Sequence, residues 1–137
     1  MDLILSSGLL AFGRQCGFLA AVEAAELQVD AVFGTSSGAL CGALWAAGLP
    51  AGEVLSELAA VAPIRRTRPC LTPWRGLLSL AAGIEDLRRN LPPRFEDLER
   101  PLAVGVIGPD GPMALTRGPL PEAVMASCAI PWLFAPV

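Results

Sequence analysis

The stretch VDAVFGTSSGALCGALWAAG, residues 29–48, constrains the fold more than any other part of the chain. Residues 30–33 (DAVF) read as a short buried strand. Gly34, Thr35, Ser36, Ser37 and Gly38 then turn the chain, and residues 38–47 continue as a helix of small and apolar side chains. Gly48 and Pro50 stop that helix, since neither continues it. The residues before this stretch prepare the same layout. Residues 2–5 (DLIL) form a second short apolar run, ended by Ser6, Ser7 and Gly8, and read as a buried strand. Residues 14–27 read as a helix with Phe18, Val22 and Ala25 on one face and Glu23 and Glu26 off it. The first 48 residues therefore predict strand–helix–strand–turn–helix. Such short connections favour parallel strands in an α/β sheet.

Downstream, residues 51–61 predict a helix. Residues 62–76, with three prolines and four arginines, predict a loop, and residues 77–91 one or two short helices. Residues 101–107 and 112–116 predict two strands joined by the turn at 109–111, and residues 119–128 a small helix. There is no internal repeat or linker, and 137 residues fit a single domain, 1–137, with a real core.

Composition excludes several classes. With 53% hydrophobic and 17% charged residues the chain is too apolar to be disordered. A net charge of -3 gives no bulk attraction to nucleic acid. The cysteines, Cys16, Cys41, Cys70 and Cys128, form no C-x-x-C, and the chain has no histidine, so zinc-finger spacing is excluded. They read as free thiols in a reducing, cytoplasmic compartment. The apolar start carries Asp2, Arg14 and Gln15, which argue against a secretion signal, and no stretch matches a membrane span. The absence of lysine beside abundant alanine, arginine and glycine suggests a GC-rich bacterial gene.

GTSSG fits G-x-S-x-G, a weak pattern on its own. Its position after a strand and before a helix is the setting of a nucleophile elbow, where a small residue on each side of the serine relieves a tight turn. The start of the following helix would stabilise a developing oxyanion. The competing reading is a glycine-rich turn in which Ser36 caps the helix. If Ser36 is a nucleophile, its base is neither histidine nor lysine, because the chain contains neither. An aspartate or glutamate, or a group outside this chain, must serve. A nucleotide-binding βαβ unit would need G-x-G-x-x-G after the first strand, and Gly8 and Gly13 do not give that spacing.

Three segments together resemble the patatin-like phospholipase family. LSSGLLAFGRQCGFLAAVEAA is similar to the family's opening, VFGTSSGAL to its G-T-S-[AST]-G elbow, and ASCAIPWLFAPV to its A-S-x-A-x-P-x-x-F-x-P segment. The last is the most discriminating, because neither packing nor turn chemistry demands its spacing. The resemblance covers essentially the whole chain. It implies a three-layer α/β/α fold with a mostly parallel sheet. It also implies a lipid acyl hydrolase that uses Ser36 in a Ser–Asp dyad, through an acyl-enzyme. The backbone of Ser7, Gly8 and Leu9 would form the oxyanion hole. The substrate would be a lipid or carboxyl ester, with peripheral membrane contact and no cofactor, metal or nucleic acid.

Two departures stand out. The family's G-G-G-x-[RK]-G loop is here Ser7, Gly8, Leu9, Leu10, Ala11 and Phe12, so Gly8 alone survives and Ala11 replaces the basic residue. Arg14 either supplies that charge or sits on the helix surface. The family's D-G-[AG] aspartate follows the P-x-x-F-x-P segment. In this chain Asp110-Gly111 comes earlier, in the hairpin turn. The expectation is that the C-terminal part of the domain is missing and the dyad aspartate lies beyond Val137. A catalytically inactive lipid- or acyl-binding module is the alternative. Arg65, Arg66 and Arg68 read as a solvated loop or a head-group contact. Trp74 reads as an interface candidate, Trp45 as core, and Cys128 as a packing residue beside the site.

Overall fold

The computed structural model describes residues 1–8, 11–61, 68–69, 77–130, 133–135 and 137. Leu9, Leu10, Arg65, Arg66, Cys70, Trp74 and Trp132 lie outside the described residues, as does the side chain of Arg68. The α/β architecture is the one found. The main sheet contains β1 (Asp2–Leu5), β2 (Ala31–Thr35), β5 (Leu102–Gly108) and β6 (Gly111–Leu115), in the order β1-β2-β5-β6. The first three are parallel, with Leu5 opposite Gly34 and Thr35 opposite Gly105. The strand β6 returns antiparallel from a tight hairpin that pairs Gly108 with Gly111. The helices are α1 (Phe12–Ala24), α2 (Ser37–Ala46), α3 (Ala51–Val61), α4 (Ala81–Leu87) and α5 (Leu120–Cys128).

The apolar character of α2 decides its place. Every residue from Ser37 to Ala46 is buried, as expected for a helix without a polar face. It lies across β1, β2 and β5, and α5 packs beside it on β5. Leu3, Leu5, Val32, Leu102 and Val104 point into this layer and are buried. The opposite sheet face is different. Ile4 and Ile107 are each 74% exposed there. The run DLIL is therefore not buried on both faces; it alternates exposed and buried along the pleat.

The helix α1 also departs from the expected face. Its buried residues are Gln15, Cys16, Leu19 and Val22, whereas Phe18 is 49% exposed. The stripe turns toward Gln15 because that amide is satisfied inside. Its Nε2 donates to the Ser6 carbonyl at 2.6 Å, and its Oε1 accepts from the Cys41 thiol at 3.3 Å. A polar group with partners at both ends is buried at little cost. Two further differences fall in the middle of the chain. Arg68–Pro69 (β3), within the expected loop, pairs antiparallel with Leu78–Ser79 (β4), and one helix, α4, follows. Phe95–Asp97 adds a 3-10 turn before β5.

Glu23 was expected only to lie off the apolar face of α1, but its carboxylate joins three helices. It accepts from the Trp45 indole Nε1 at 2.7 Å and from the Ala51 N–H, the first of α3, at 3.0 Å. Arg100 stacks 4.5 Å from the centre of the Trp45 ring, on another side of the same cluster. Trp45 is core, as expected. Replacing Glu23 by alanine leaves a buried indole N–H and a helix-start N–H without this acceptor. The expected cost is about 2 kcal/mol, with a smaller loss for Glu23→Gln, read as shifts of the urea midpoint.

Candidate active site

The strand β2 ends at Thr35 and α2 begins at Ser37, so Ser36 is the single residue that turns strand into helix. Its backbone sits at φ 52° and ψ -119°. A non-glycine residue at positive φ is uncommon, and such strain concentrates at functional sites. Both flanking glycines are required by close approach. A Cβ on Gly34 would lie 2.5 Å from the Gly38 carbonyl oxygen and 2.7 Å from the Ala39 Cα. A Cβ on Gly38 would lie 2.6 Å from the carbonyl carbon of Leu5. The helix is thus drawn down against β1 and onto the turn, and only glycine fits at either place.

Ser36 occupies the N-cap position of α2, yet its side chain makes no capping hydrogen bond. That removes the capping reading of the motif. Cys128, at the end of α5, is the thiol closest in the chain to Ser127, which bonds the turn. Burial pushes this thiol up to about 12. A thiol so high is neutral at physiological pH and takes no proton from a serine. Cys128 is therefore a packing group beside the site, as read from the sequence.

The loop after β1 comes to the same place. The Ser7 hydroxyl donates to Thr35 Oγ1 at 2.9 Å, and Ala11 N–H donates to the Gly8 carbonyl at 3.1 Å. A Cβ on Gly8 would lie 4.0 Å from the Ser37 Oγ and 3.9 Å from a terminal nitrogen of Arg14. So the structure brings Ser7 and Gly8 to the start of α2, where the N–H groups of Ser37 and Gly38 precede the helical ladder. Leu9 lies outside the described residues. Arg14 is exposed on α1 and also reaches Gly8, so the two readings of this residue are not exclusive. Asp110 sits in the turn between β5 and β6, two residues past Gly108 and five past Gly105, the residue paired with Thr35.

Two residues near the turn were not singled out from the sequence as parts of a site. Gln15 ties the Ser6 carbonyl to the Cys41 thiol behind α2. Ser127 accepts from the Ser36 backbone N–H at 2.8 Å and donates to the Gly105 carbonyl at 2.6 Å. The only sequence signal for Ser127 was its place in the A-S-x-A segment. A cavity of about 550 Å³, bounded by Phe33, Phe95, Glu99 and Arg100, lies at the other end of the sheet, where β2 and β5 begin. Open α/β sheets bind ligands at the carboxyl ends of their strands, so Ser36 and not this cavity marks the candidate site.

The described cysteines, Cys16, Cys41 and Cys128, are free. Burial raises all three from the ordinary thiol value of 9.0. The sign of the effect on stability follows. Above pH 9 the unfolded chain loses thiol protons that the folded chain keeps, so stability present below pH 9 falls as the pH rises toward 12. Urea midpoints are expected to drop between pH 8.5 and 10.5, with a smaller drop in Cys41→Ala once its own change at pH 8 is subtracted.

Fold and turn together define an α/β protein with a serine held at a strained strand-to-helix elbow. The chain belongs to the patatin-like phospholipase family, whose model matches residues 3–137. Among solved structures it is similar to the type III effector protein ExoU, with a TM-score of 0.58 and 18% identity. That match covers 94% of this chain and 40% of the ExoU chain, so the chain spans well under half of that protein's length. At this identity the likeness concerns the fold. No curated protein sequence matches the chain. Among the described residues, no helix is long and apolar enough to cross a membrane.

Proposed function

We propose that this chain carries the nucleophile half of a serine acyl hydrolase acting on lipid or simple carboxyl esters. The observation that supports it most is Ser36 itself. It is held at positive φ between two glycines that admit no side chain, with its hydroxyl not capping the helix behind it. In the proposed reaction the Ser36 hydroxyl attacks the ester carbonyl and its proton passes to an aspartate, the dyad base that the family resemblance implies. The N–H groups of Ser37 and Gly38, with the backbone of Ser7, Gly8 and Leu9, hold the oxyanion. The alcohol leaves with the proton, and water then releases the acyl group from Ser36. The proposed substrate lies at a lipid surface, which the protein meets peripherally.

One observation favours a second reading, a patatin-like module that binds lipid or acyl groups without turnover. The side chains seen at the turn, Ser7 on Thr35 and Ser127 on the Ser36 N–H, are hydroxyls and not carboxylates. Labelling with an alkyl fluorophosphonate separates the two. The chain, the same gene product read on past Val137, and Ser36→Ala versions of both are compared. Labelling of the longer wild-type protein, lost in its Ser36→Ala version, supports the hydrolase. A folded longer protein that stays unlabelled supports the binding module.

A further inference from the structure

The Ser127 hydroxyl lies between two backbone groups that belong to different elements. One is the N–H of Ser36, at 2.8 Å, and the other is the carbonyl of Gly105, at 2.6 Å. The direction of both bonds is forced. An amide only donates and a carbonyl only accepts, so the hydroxyl accepts from Ser36 and donates to Gly105. Only a side chain that does both can stand there. We propose that Ser127 is the positioning residue of this site: it fixes the peptide plane entering Ser36 and so sets the direction in which the Ser36 hydroxyl leaves the turn.

Two features of the geometry carry this. Gly105 is the sheet partner of Thr35, the residue before Ser36. The path from Thr35 across to Gly105, through Ser127 and back to Ser36 is therefore a closed ring, and the strained residue is one of its corners. A rotation of the peptide that relaxed φ toward negative values would turn the Ser36 N–H and break the 2.8 Å bond. The second feature is a division of labour among amides. Because the Ser36 N–H is already engaged, it is not a donor to an oxyanion. That task falls to the following amides, Ser37 and Gly38, and to the loop at Gly8. Ser127 thus acts through Ser36 and does not touch the substrate.

The consequence for reactivity rests on the reading of Ser36 as a nucleophile, while the geometry does not. The test therefore uses two readouts on the full chain and on the longer gene product, in wild type, Ser127→Ala and Ser127→Thr. The first is amide exchange at Ser36, followed by nuclear magnetic resonance. The second is the rate of labelling by an alkyl fluorophosphonate over a range of probe concentrations. Ser127→Ala is expected to speed Ser36 exchange by about tenfold or more. It should slow labelling by about 10- to 100-fold at saturating probe, with the half-saturating concentration unchanged. Ser127→Thr, which keeps the hydroxyl, should restore both. Equal exchange in wild type and Ser127→Ala overturns the proposal, and so does faster exchange with an unchanged labelling rate. If wild type does not label at all, the nucleophile reading fails separately, and exchange alone decides whether Ser127 holds the turn. Should Ser127→Ala not fold, Ser127→Cys, with a weaker donor and acceptor, takes its place with the same expectations.

Discussion

Gly38→Ala is expected to leave little or no folded protein. The added Cβ would lie 2.6 Å from the carbonyl carbon and 2.9 Å from the Cβ of Leu5. These are not the flexible ends of side chains. Leu5 is the last residue of β1 and is paired with Gly34, so it moves only if the sheet moves. The first turn of α2 is equally fixed, because the whole helix is buried. Ordinary overpacking costs about 1–3 kcal/mol. A clash between two backbones exceeds that, and a loss above about 4 kcal/mol is most of the stability of many domains. Far-ultraviolet dichroism and urea titration would show it. Gly52→Ala is the control: it lies on α3 with nothing within 4 Å of its would-be Cβ. There alanine should stabilise by up to about 1 kcal/mol. A Gly38→Ala protein with a wild-type urea midpoint would mean that α2 does not sit against β1 as described.

The second large effect is at Ser36, where activity should be lost with no loss of stability. Under the hydrolase reading, Ser36→Ala in the gene product read on past Val137 is expected to abolish labelling and to lower ester hydrolysis by at least about 10⁴-fold. Its stability should stay near wild type, because alanine keeps the Cβ and with it the strain. Ser36→Gly should lose activity as completely, yet gain about 1 kcal/mol, since glycine adopts φ 52° without a steric penalty. The gain is the strain released, less the extra entropy of glycine in the unfolded chain. Ester turnover in a folded Ser36→Ala protein would assign the chemistry to another residue. A destabilised Ser36→Gly would show that the turn is not strained.

How much of this was legible beforehand depends on the range of the interactions involved. The strand–turn–helix at 29–48 was read within a residue or two, because strand, glycine and helix signals there are all local and agree. The same holds for the hairpin at Pro109-Asp110 and for α3. The face of α1 was not legible. Phe18 is the largest apolar side chain in the stretch 14–27, and periodicity placed it inward. What turned the helix was Gln15, whose partners Ser6 and Cys41 lie outside it. The run DLIL read as a buried strand because three of its four residues are apolar, yet Asp2 and Ile4 share a face that is exposed. In the site, the composition of the turn was legible and its support was not. Ser36, Gly34 and Gly38 are neighbours in the chain. Ser127 reaches them only through the packing of α5 on β5, and no local pattern encodes that.

The bond from Ser36 to Ser127 spans 91 positions of sequence. That separation gives the site a history as well as a shape. A ribosome adds about 5–20 residues per second, so roughly 5–20 s pass between the synthesis of the two serines. For most of that interval β1, α1, β2 and α2 can collapse together while β5 is still unmade, and α5 is completed only at its end. Throughout it the turn lacks its hydroxyl bridge, and for most of it its strand neighbour too, so Ser36 is free to relax to an ordinary backbone conformation. Closing so long a loop is slow, and the folding of such non-local sheets is slow with it. The strained serine is therefore among the last features of the molecule to form, and a nascent chain carries the motif for many seconds before it carries the elbow.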